Sequence, residues 1–153
     1  MLIKKLWNRR FCFLLPVAVL LVFTMVLGCG NDDDDSDEQI IEDVASLMDS
    51  LRVAGATVAQ SGELEQPFFS EKAQIITVNG GDVQVFEYAK ADAAEDEAAK
   101  VASDGSTIDN NIVQWVATPH FYKTGNLIVL YVGESEDVMN VLETVLGSQF
   151  AGR

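Results

Sequence analysis

The stretch AQIITVNGGDVQVFEY, residues 73–88, decides the fold of this chain. Two apolar segments, 73–79 and 82–88, flank a turn of Asn79, Gly80 and Gly81. Asn and Gly tolerate the backbone conformations that tight hairpin turns need, so the stretch predicts two antiparallel strands joined by a short turn. The domain is expected to form an antiparallel sheet around this hairpin.

A second pair of strands is predicted at residues 112–117 and 127–132, with the turn between them at residues 123–126. Both segments are apolar on consecutive residues, a pattern typical of strands that are buried on both faces. Upstream of the first hairpin, a short strand is predicted at residues 57–61. Residues 66–69 contain a proline, which cannot donate to a ladder, so they are predicted to be irregular or to lie at a sheet edge.

The segment before these strands predicts a helix over residues 36–55. Ser36 and Gln39 form a capping box, and Gly55 is typical of a helix end. Apolar residues recur along one side of this segment, as they do on a helix that packs against a core. They are Ile40, Ile41, Val44, Leu47, Met48 and Leu51.

Two further helices are predicted, each directly after a hairpin. Asp92 with Glu95 caps the first of them, which is expected to end at Gly105. The last helix is expected to begin at Ser135 and to end at Gly147, with its valines and leucines facing inward.

The order of helix, short strand, hairpin, helix, hairpin and helix predicts an α+β fold. We expect an antiparallel sheet of four to five strands with two to three packed helices, formed by a single domain over residues 37–153. The repeated unit of a hairpin followed by a helix suggests two similar halves, as in a circularly permuted ferredoxin-like fold.

The chain begins with a segment that is typical of an export signal. Four basic residues lie within the first ten residues, and residues 11–27 then contain no charge. A positive start, an apolar run and small residues before a cleavage point are the parts of a secretory signal. Because the positive end stays in the cytoplasm, the remainder of the chain is expected to be exported.

The residues Val26-Leu27-Gly28-Cys29 resemble the lipobox of bacterial lipoprotein precursors, in which an aliphatic residue, a small or aliphatic one and Gly or Ala precede an invariant Cys. Leu27 departs from the Ala or Ser more common at its position. The resemblance covers about the first 30 residues. It implies that residues 1–28 are a lipoprotein signal peptide and that Cys29 becomes the lipidated N-terminus, carrying acyl chains such as palmitate. An uncleaved signal anchor is the alternative.

After Cys29 the chain continues with an acidic tether, residues 29–36, in which four consecutive aspartates repel one another and keep the backbone extended. All 24 acidic residues follow Cys29 and only six basic residues do, which leaves a net charge of about −18 on the part beyond the signal. Such a charge disfavours binding to nucleic acid and contact with anionic lipid. Cys12 and Cys29 are the only cysteines, so no disulfide is expected in the domain.

His120 is the only histidine and lies in the segment between the two predicted downstream strands. As a general base it would need a nucleophile, and the sequence contains neither a Gly-x-Ser-x-Gly motif nor a free cysteine in the domain. A structural histidine at a strand bend is therefore the favoured interpretation. The segment 104–110 is rich in oxygen ligands and could hold a hard cation, although a polar loop is the commoner use of such residues.

Several aromatic residues could form a recognition surface or fill the core: Phe68, Phe69, Trp115, Phe121 and Tyr122. Trp115 is expected in the core, on one strand face with Val113. The candidate binding residues are His120, Phe68, Phe69 and Tyr122, while no residue is assigned to catalysis, a metal or a cofactor.

Taken together, these features predict a lipoprotein anchored to a bacterial membrane through Cys29 and exposed outside the cytoplasm. Its domain is expected to be a non-enzymatic binding module whose partner is a protein or another component of the cell envelope. Two alternatives stay open, a small envelope hydrolase using His120 and an acidic cation-binding module.

Overall fold

A computed structural model describes residues 41–152. The interpretations of the signal segment, of Cys29 and of the acidic tether lie outside these residues. The described part contains three helices, α1 (Val44–Val53), α2 (Ala91–Ala98) and α3 (Glu136–Leu146). Its strands are β1 (Val58–Leu64), β2 (Ala73–Val78), β3 (Gly81–Glu87), β4 (Thr107–Ile108), β5 (Asn111–Ile112), β6 (Pro119–Thr124), β7 (Leu127–Val132) and β8 (Ala151–Gly152).

Six of these strands form one antiparallel sheet in the order β1-β2-β3-β7-β6-β8, while β4 and β5 form a separate short ribbon. The predicted α+β class is thereby confirmed, and the sheet has one strand more than the upper limit expected. The extra strand is β8, which is two residues long and pairs with β6. Between residues 41 and 152, every helix falls short of the length and apolarity that crossing a bilayer requires.

The first hairpin has the register that its turn predicts. Val78 pairs with Gly81, so the turn consists of Asn79 and Gly80 alone. Both turn residues have positive φ, 48° at Asn79 and 85° at Gly80, and this conformation matches the twist of the strands on either side. The prediction drawn from residues 73–88 is therefore confirmed.

The sheet separates two apolar cores. Alternate side chains of β7 point to opposite faces, so that Leu127 and Val129 enter one core while Ile128 and Leu130 enter the other. The first core is closed by α1 and α3, and the second by α2 together with Phe69. The predicted burial of β7 on both faces is confirmed because helices cover both sides of the sheet.

This arrangement differs from the two similar halves that the hairpin–helix repeat suggests. A ferredoxin-like fold joins parallel strands through crossover helices. Here every pair of neighbouring strands is antiparallel, and α2 lies on the opposite face from α1 and α3. The helices therefore pack on both faces of the sheet and do not repeat one hairpin–helix unit.

The first helix begins later than predicted. Residues 41–43 are not helical, and the cap is Asp43, whose carboxylate accepts from the Ser46 backbone N–H at 2.7 Å. The Ser46 hydroxyl in turn accepts from the Asp43 N–H at 3.1 Å, which completes a capping box. Ser36 and Gln39, the predicted capping pair, lie outside the described residues. The predicted end is confirmed, since Gly55 has a φ of +94° just beyond the helix.

The second helix is shorter than predicted, and its predicted cap is wrong. It begins after Lys90, which makes no side-chain cap, and it ends at Ala98 instead of continuing to Gly105. The chain then turns back, so that Val101 forms an isolated bridge with Ile108. Small and polar residues at 102–106 favour this turn over another helical turn.

The strand expected at residues 112–117 is displaced. The neighbour of β7 is β6, which starts at Pro119, and residues 113–118 lie outside the sheet. Proline is tolerated at the first residue of a strand, where its missing N–H removes no ladder bond. His120 therefore lies within a strand and not at a bend between strands. The turn between β6 and β7 consists of Gly125 and Asn126, and is shorter than the predicted turn at residues 123–126.

The last helix is confirmed, with Ser135 before it and Gly147 after it. The Ser135 backbone N–H donates to the Tyr131 hydroxyl at 3.1 Å, so a side chain of the sheet holds the start of this helix.

The upstream strand β1 extends three residues beyond the predicted 57–61 and forms the exposed edge of the sheet. The segment 66–69 is irregular, as its proline predicts.

Replacing Ile128 by alanine tests the two-sided burial of β7. Ile128 is fully buried, so Ile128→Ala should lower the free energy of unfolding by about 2–5 kcal/mol through lost burial and the cavity left behind. The matched variant Ile112→Ala removes the same atoms from a side chain that is 81% exposed. It should change the free energy of unfolding by less than about 0.5 kcal/mol. Urea denaturation measures both free energies of unfolding. If the two variants lost the same amount, the two-sided burial of β7 would be contradicted.

Candidate binding site

Residues 113–119 and the loop at 104–106 enclose an open groove at one end of the second core. The groove has a volume of about 420 Å³. Its lining combines a tryptophan with small apolar, hydroxyl and acidic side chains. The lining residues are Asp104, Ser106, Val113, Trp115, Ala117, Thr118, Pro119 and Glu134.

Trp115 forms one side of this groove, and its contacts hold the ring in place. Its indole N–H donates to the Gly105 carbonyl at 2.7 Å, and its ring meets Phe68 and Phe121 edge to face at 5.7 and 5.8 Å. Gly105 has a φ of +69°, and a Cβ there would lie 3.0 Å from Pro119 Cγ. Only glycine suits this backbone and this close approach, so Gly105 positions the acceptor that orients the tryptophan.

Two exposed aliphatic residues lie beside the groove in sequence. Val116 is 98% exposed and stands between the lining residues Trp115 and Ala117. Ile112 is 81% exposed and precedes the lining residue Val113. Single exposed apolar residues are common, but Val116 directly follows a half-buried tryptophan, and aromatic and apolar residues at the surface are of the kind that proteins use for contacts.

The polar side of the groove is acidic. The Asp104 carboxylate accepts from the Ser106 backbone N–H at 3.0 Å and from its hydroxyl at 2.8 Å. The Glu134 carboxylate accepts from the Thr118 hydroxyl and, at 3.3 Å, from the Thr118 N–H. These bonds, the hydroxyl first, hold the pKa of Glu134 below its ordinary value of 4.5, because they favour the charged form. Residues 101–122 include no lysine or arginine.

His120 lies on the other face of the sheet and is held at both ring nitrogens. Its side chain is 4% exposed. Nδ1 lies 2.9 Å from the Gln149 side-chain oxygen, and Nε2 lies 3.1 Å from the Gly133 carbonyl. The ring also stacks on Tyr131, with centroids 6.0 Å apart. The ring therefore ties β6 to the segments at both ends of α3, as a structural histidine does.

The other candidate binding residues do not form one site with His120. Tyr122 is 1% exposed and lies in the core under α1 and α3, where burial raises the pKa of its hydroxyl to about 12. Phe69 is buried in the opposite core, and Phe68 is half-buried at its edge. Burial leaves Tyr122 almost no surface for a ligand, and Phe69, 7% exposed, reaches only a separate pocket lined by residues 65–67 and 69–72. Phe68 alone approaches the groove, through its contact with Trp115.

The oxygen-rich loop has a structural explanation. Asp109 and Asn110 have φ values of 48° and 62° and form the two-residue turn of the β4–β5 ribbon. Asp104 bonds with Ser106 two residues later, in the manner of an Asx turn. Within residues 41–152, no group of three or more His, Cys, Asp or Glu side chains is placed to hold a metal ion.

Sequence reasoning missed the groove residue Glu134 and the exposure of Val116, which stands between two lining residues. Residues 112–117 were expected to be a buried strand, which hid the exposure of Val116, and Glu134 directly precedes Ser135, the expected start of the last helix. No signal in the sequence pairs Thr118 with Glu134, because the bond joins residues that only the β6–β7 hairpin brings together.

Comparison with known protein families, with curated proteins and with solved structures finds no match to this chain. The groove must therefore be interpreted from its own geometry and chemistry.

Replacing Thr118 by valine tests the origin of the low pKa of Glu134. Thr118→Val removes the hydroxyl bond and keeps the backbone N–H, so the pKa of Glu134 should rise part of the way toward 4.5. Because the folded-state pKa is lowered, the bond stabilises the fold above the unfolded-state pKa, and this contribution is lost as pH falls through the folded-state pKa. Carboxyl NMR titration measures the shift.

The matched control is Thr144→Val, because the Thr144 hydroxyl donates to the Asn140 carbonyl on α3 and does not contact Glu134. This variant should leave the titration of Glu134 unchanged. An unaltered Glu134 titration in Thr118→Val would show that the hydroxyl is not the cause.

Proposed function

We propose that this protein is an exported bacterial lipoprotein whose domain is a non-enzymatic binding module of the cell envelope. The groove beside Trp115, with the almost fully exposed Val116 at its margin, is the observation that carries the binding role. The partner is proposed to be a protein or another envelope component that reaches the domain at the membrane surface.

The anchor is supported by the order of features at the start of the chain. A basic start is followed by 17 uncharged residues, the last two of which begin the lipobox-like Val26-Leu27-Gly28-Cys29. Two or three acyl chains, at about 0.8 kcal/mol per buried CH₂, would anchor the chain stably where one chain is marginal. The acidic tether then separates the domain from the headgroups.

The binding role is supported by the rigidity of the groove. Trp115 is oriented by the bond to Gly105 and by ring contacts, so its face is set before any ligand arrives. Because the side chain is already ordered, it loses little conformational entropy when a ligand binds. More of the contact free energy then contributes to affinity. The acidic groups on the opposite side supply orientation and specificity.

Replacing Cys29 by serine tests the anchor. In bacteria fed a clickable palmitate analogue, wild-type protein and the control Cys12→Ser should incorporate label and sediment with membranes. Cys29→Ser should lose the label, because the thiol that accepts the lipid is gone. Label retained in Cys29→Ser, or wild-type protein that is unlabelled and keeps residues 1–28 by mass spectrometry, would contradict the lipoprotein proposal.

The binding role is tested in the same cells with a photoreactive amino acid at position 116. Position 53 is the matched control, because Val53 is likewise a strongly exposed valine, at 81%, but lies at the end of α1, where neither it nor its neighbours in sequence line the groove. We expect one abundant crosslinked species from position 116 that is reduced when Cys29→Ser is added. Equal crosslinking from positions 53 and 116, or none from position 116, counts against the groove.

A further inference from the structure

We propose that His120 is a proton-responsive group that changes the charge at the groove by acting on the Glu134 carboxylate. The imidazolium form of the ring would offset the negative charge of Glu134, and the neutral form would leave it in full. This inference rests on the proposed function, because it makes binding in the groove depend on pH.

The contacts of the ring fix where its hydrogen lies. Nε2 is 3.1 Å from the main-chain carbonyl oxygen of Gly133, and Nδ1 is 2.9 Å from the side-chain oxygen of Gln149. A main-chain carbonyl oxygen only accepts hydrogen bonds, so Nε2 must carry a hydrogen. A neutral imidazole has a single N–H, which leaves Nδ1 of the neutral ring as an acceptor.

Gln149 suits both protonation states of this ring. Its amide has an oxygen that accepts and a nitrogen that donates, and a half turn of the amide exchanges the two. The neutral ring accepts an N–H of the amide at Nδ1. When Nδ1 binds a proton from solvent, the new N–H donates to the amide oxygen instead. Proton uptake therefore leaves no ring nitrogen without a partner, which offsets part of the cost of burying the charge.

Glu134 is linked to this ring through its neighbour Gly133. The Gly133 carbonyl accepts from the ring, and the Gly133 N–H donates to the Thr118 carbonyl at 3.0 Å. The Thr118 hydroxyl and N–H in turn donate to the Glu134 carboxylate. These two bonds are the largest causes of the lowered pKa of Glu134, and a positive charge on His120 lowers it further. By the same attraction the Glu134 carboxylate favours the imidazolium.

Other elements also pack against the ring. β7 contributes the stacked Tyr131 ring, whose hydroxyl accepts from the Ser135 N–H. β8 pairs Gly152 with His120 and so adds no side chain. The acids of α3 are exposed, while its valines and leucines face the sheet. These acids are Glu136, Asp137 and Glu143. Glu134 is therefore the acid that the Gly133 contact brings to the ring.

The consequence for the groove follows from its lining. Glu134 lines the groove, whereas His120 lies behind it and is 4% exposed. Histidine is the side chain that ordinarily changes charge between about pH 5 and 8. A ligand that contacts Glu134 as an anion should therefore bind more weakly at the acidic end of that range, because the imidazolium offsets the charge of Glu134.

The test follows the ring by NMR in the full chain, held in non-ionic detergent micelles and labelled with 15N. His120 is the only histidine, so every imidazole signal belongs to it. The ring should titrate from the Nε2–H tautomer at high pH to a form with hydrogen on both nitrogens at low pH. The Thr118 amide signal should shift at the same pH, because this N–H donates to Glu134.

Glu134→Gln measures the coupling between the two groups. It keeps an acceptor oxygen for Thr118 but removes the charge, so the ring should take up its proton at a lower pH than in the wild type. The matched control is Glu63→Gln, which removes an equal charge from β1. Three strands lie between β1 and β6, which is a separation of roughly 19 Å, so this variant should leave the titration of the ring unchanged.

His120→Gln removes the titrating group and should abolish the shift of the Thr118 signal at that pH. Glu134→Gln keeps the ring, so it tests the coupling even where His120→Gln does not fold.

Four results overturn the inference. They are a neutral ring with its hydrogen on Nδ1, a ring that stays neutral until acid unfolds the domain, a Thr118 signal that ignores the titration, and equal titrations of the ring in Glu134→Gln and Glu63→Gln. The crosslink from position 116 is measured at one pH and does not require a titrating ring. A crosslinked protein whose ring fails these tests therefore refutes the inference and leaves the proposed binding role standing.

Discussion

The two-sided burial of β7 is the constraint on which the rest of the structure depends. β7 lies between β3 and β6, and its side chains are apolar on both faces. A strand without a polar face must be covered on both sides of the sheet. One face is covered by α1 and α3, and the other by α2 together with aromatic residues of the loops, so the positions of all three helices follow from this strand.

The groove is a consequence of where β6 begins. Pro119 opens the strand, so the residues before it have no place in the ladder and their backbone must find other partners. The Val113 N–H donates to the Ser106 carbonyl at 3.0 Å, and Trp115 donates to Gly105. The segment is thereby held against the 104–106 loop, with Trp115 turned inward and Val116 turned to solvent.

In the proposed function, membrane attachment and partner recognition belong to two different parts of the chain, the anchor and the groove. Lipid on Cys29 would set the distance from the membrane, and the acidic tether would keep the domain off anionic headgroups by repulsion. The groove would then supply recognition, with an apolar wall for affinity and exposed acids for steering. His120 takes a different role, because both of its ring nitrogens are held where β6 meets the ends of α3.

The sequence by itself determined the local elements whose signals are strong over short distances. The Asn79-Gly80 turn predicted its hairpin, the run at 127–132 predicted a strand buried on both faces, and residues 135–147 predicted the last helix. The start of α1, the end of α2 and the place of β6 were predicted wrongly. In each case the apolar pattern continued past the true boundary of the element. The boundaries are set by the Asp43 cap, by the turn at 102–106 and by Pro119.

Only the tertiary structure decided the candidate site. The Thr118–Glu134 bond joins residues 16 positions apart, and Trp115 bonds to a residue ten positions before it. Local sequence patterns carry no information on such pairs, because the pairs exist only after β6 and β7 have paired and the 113–118 segment has left the sheet. For the same reason the exposure of Val116 could not be predicted from the residue type. A valine in a strand of this sheet would be buried, but β6 begins only at Pro119, which leaves Val116 outside the sheet and in solvent.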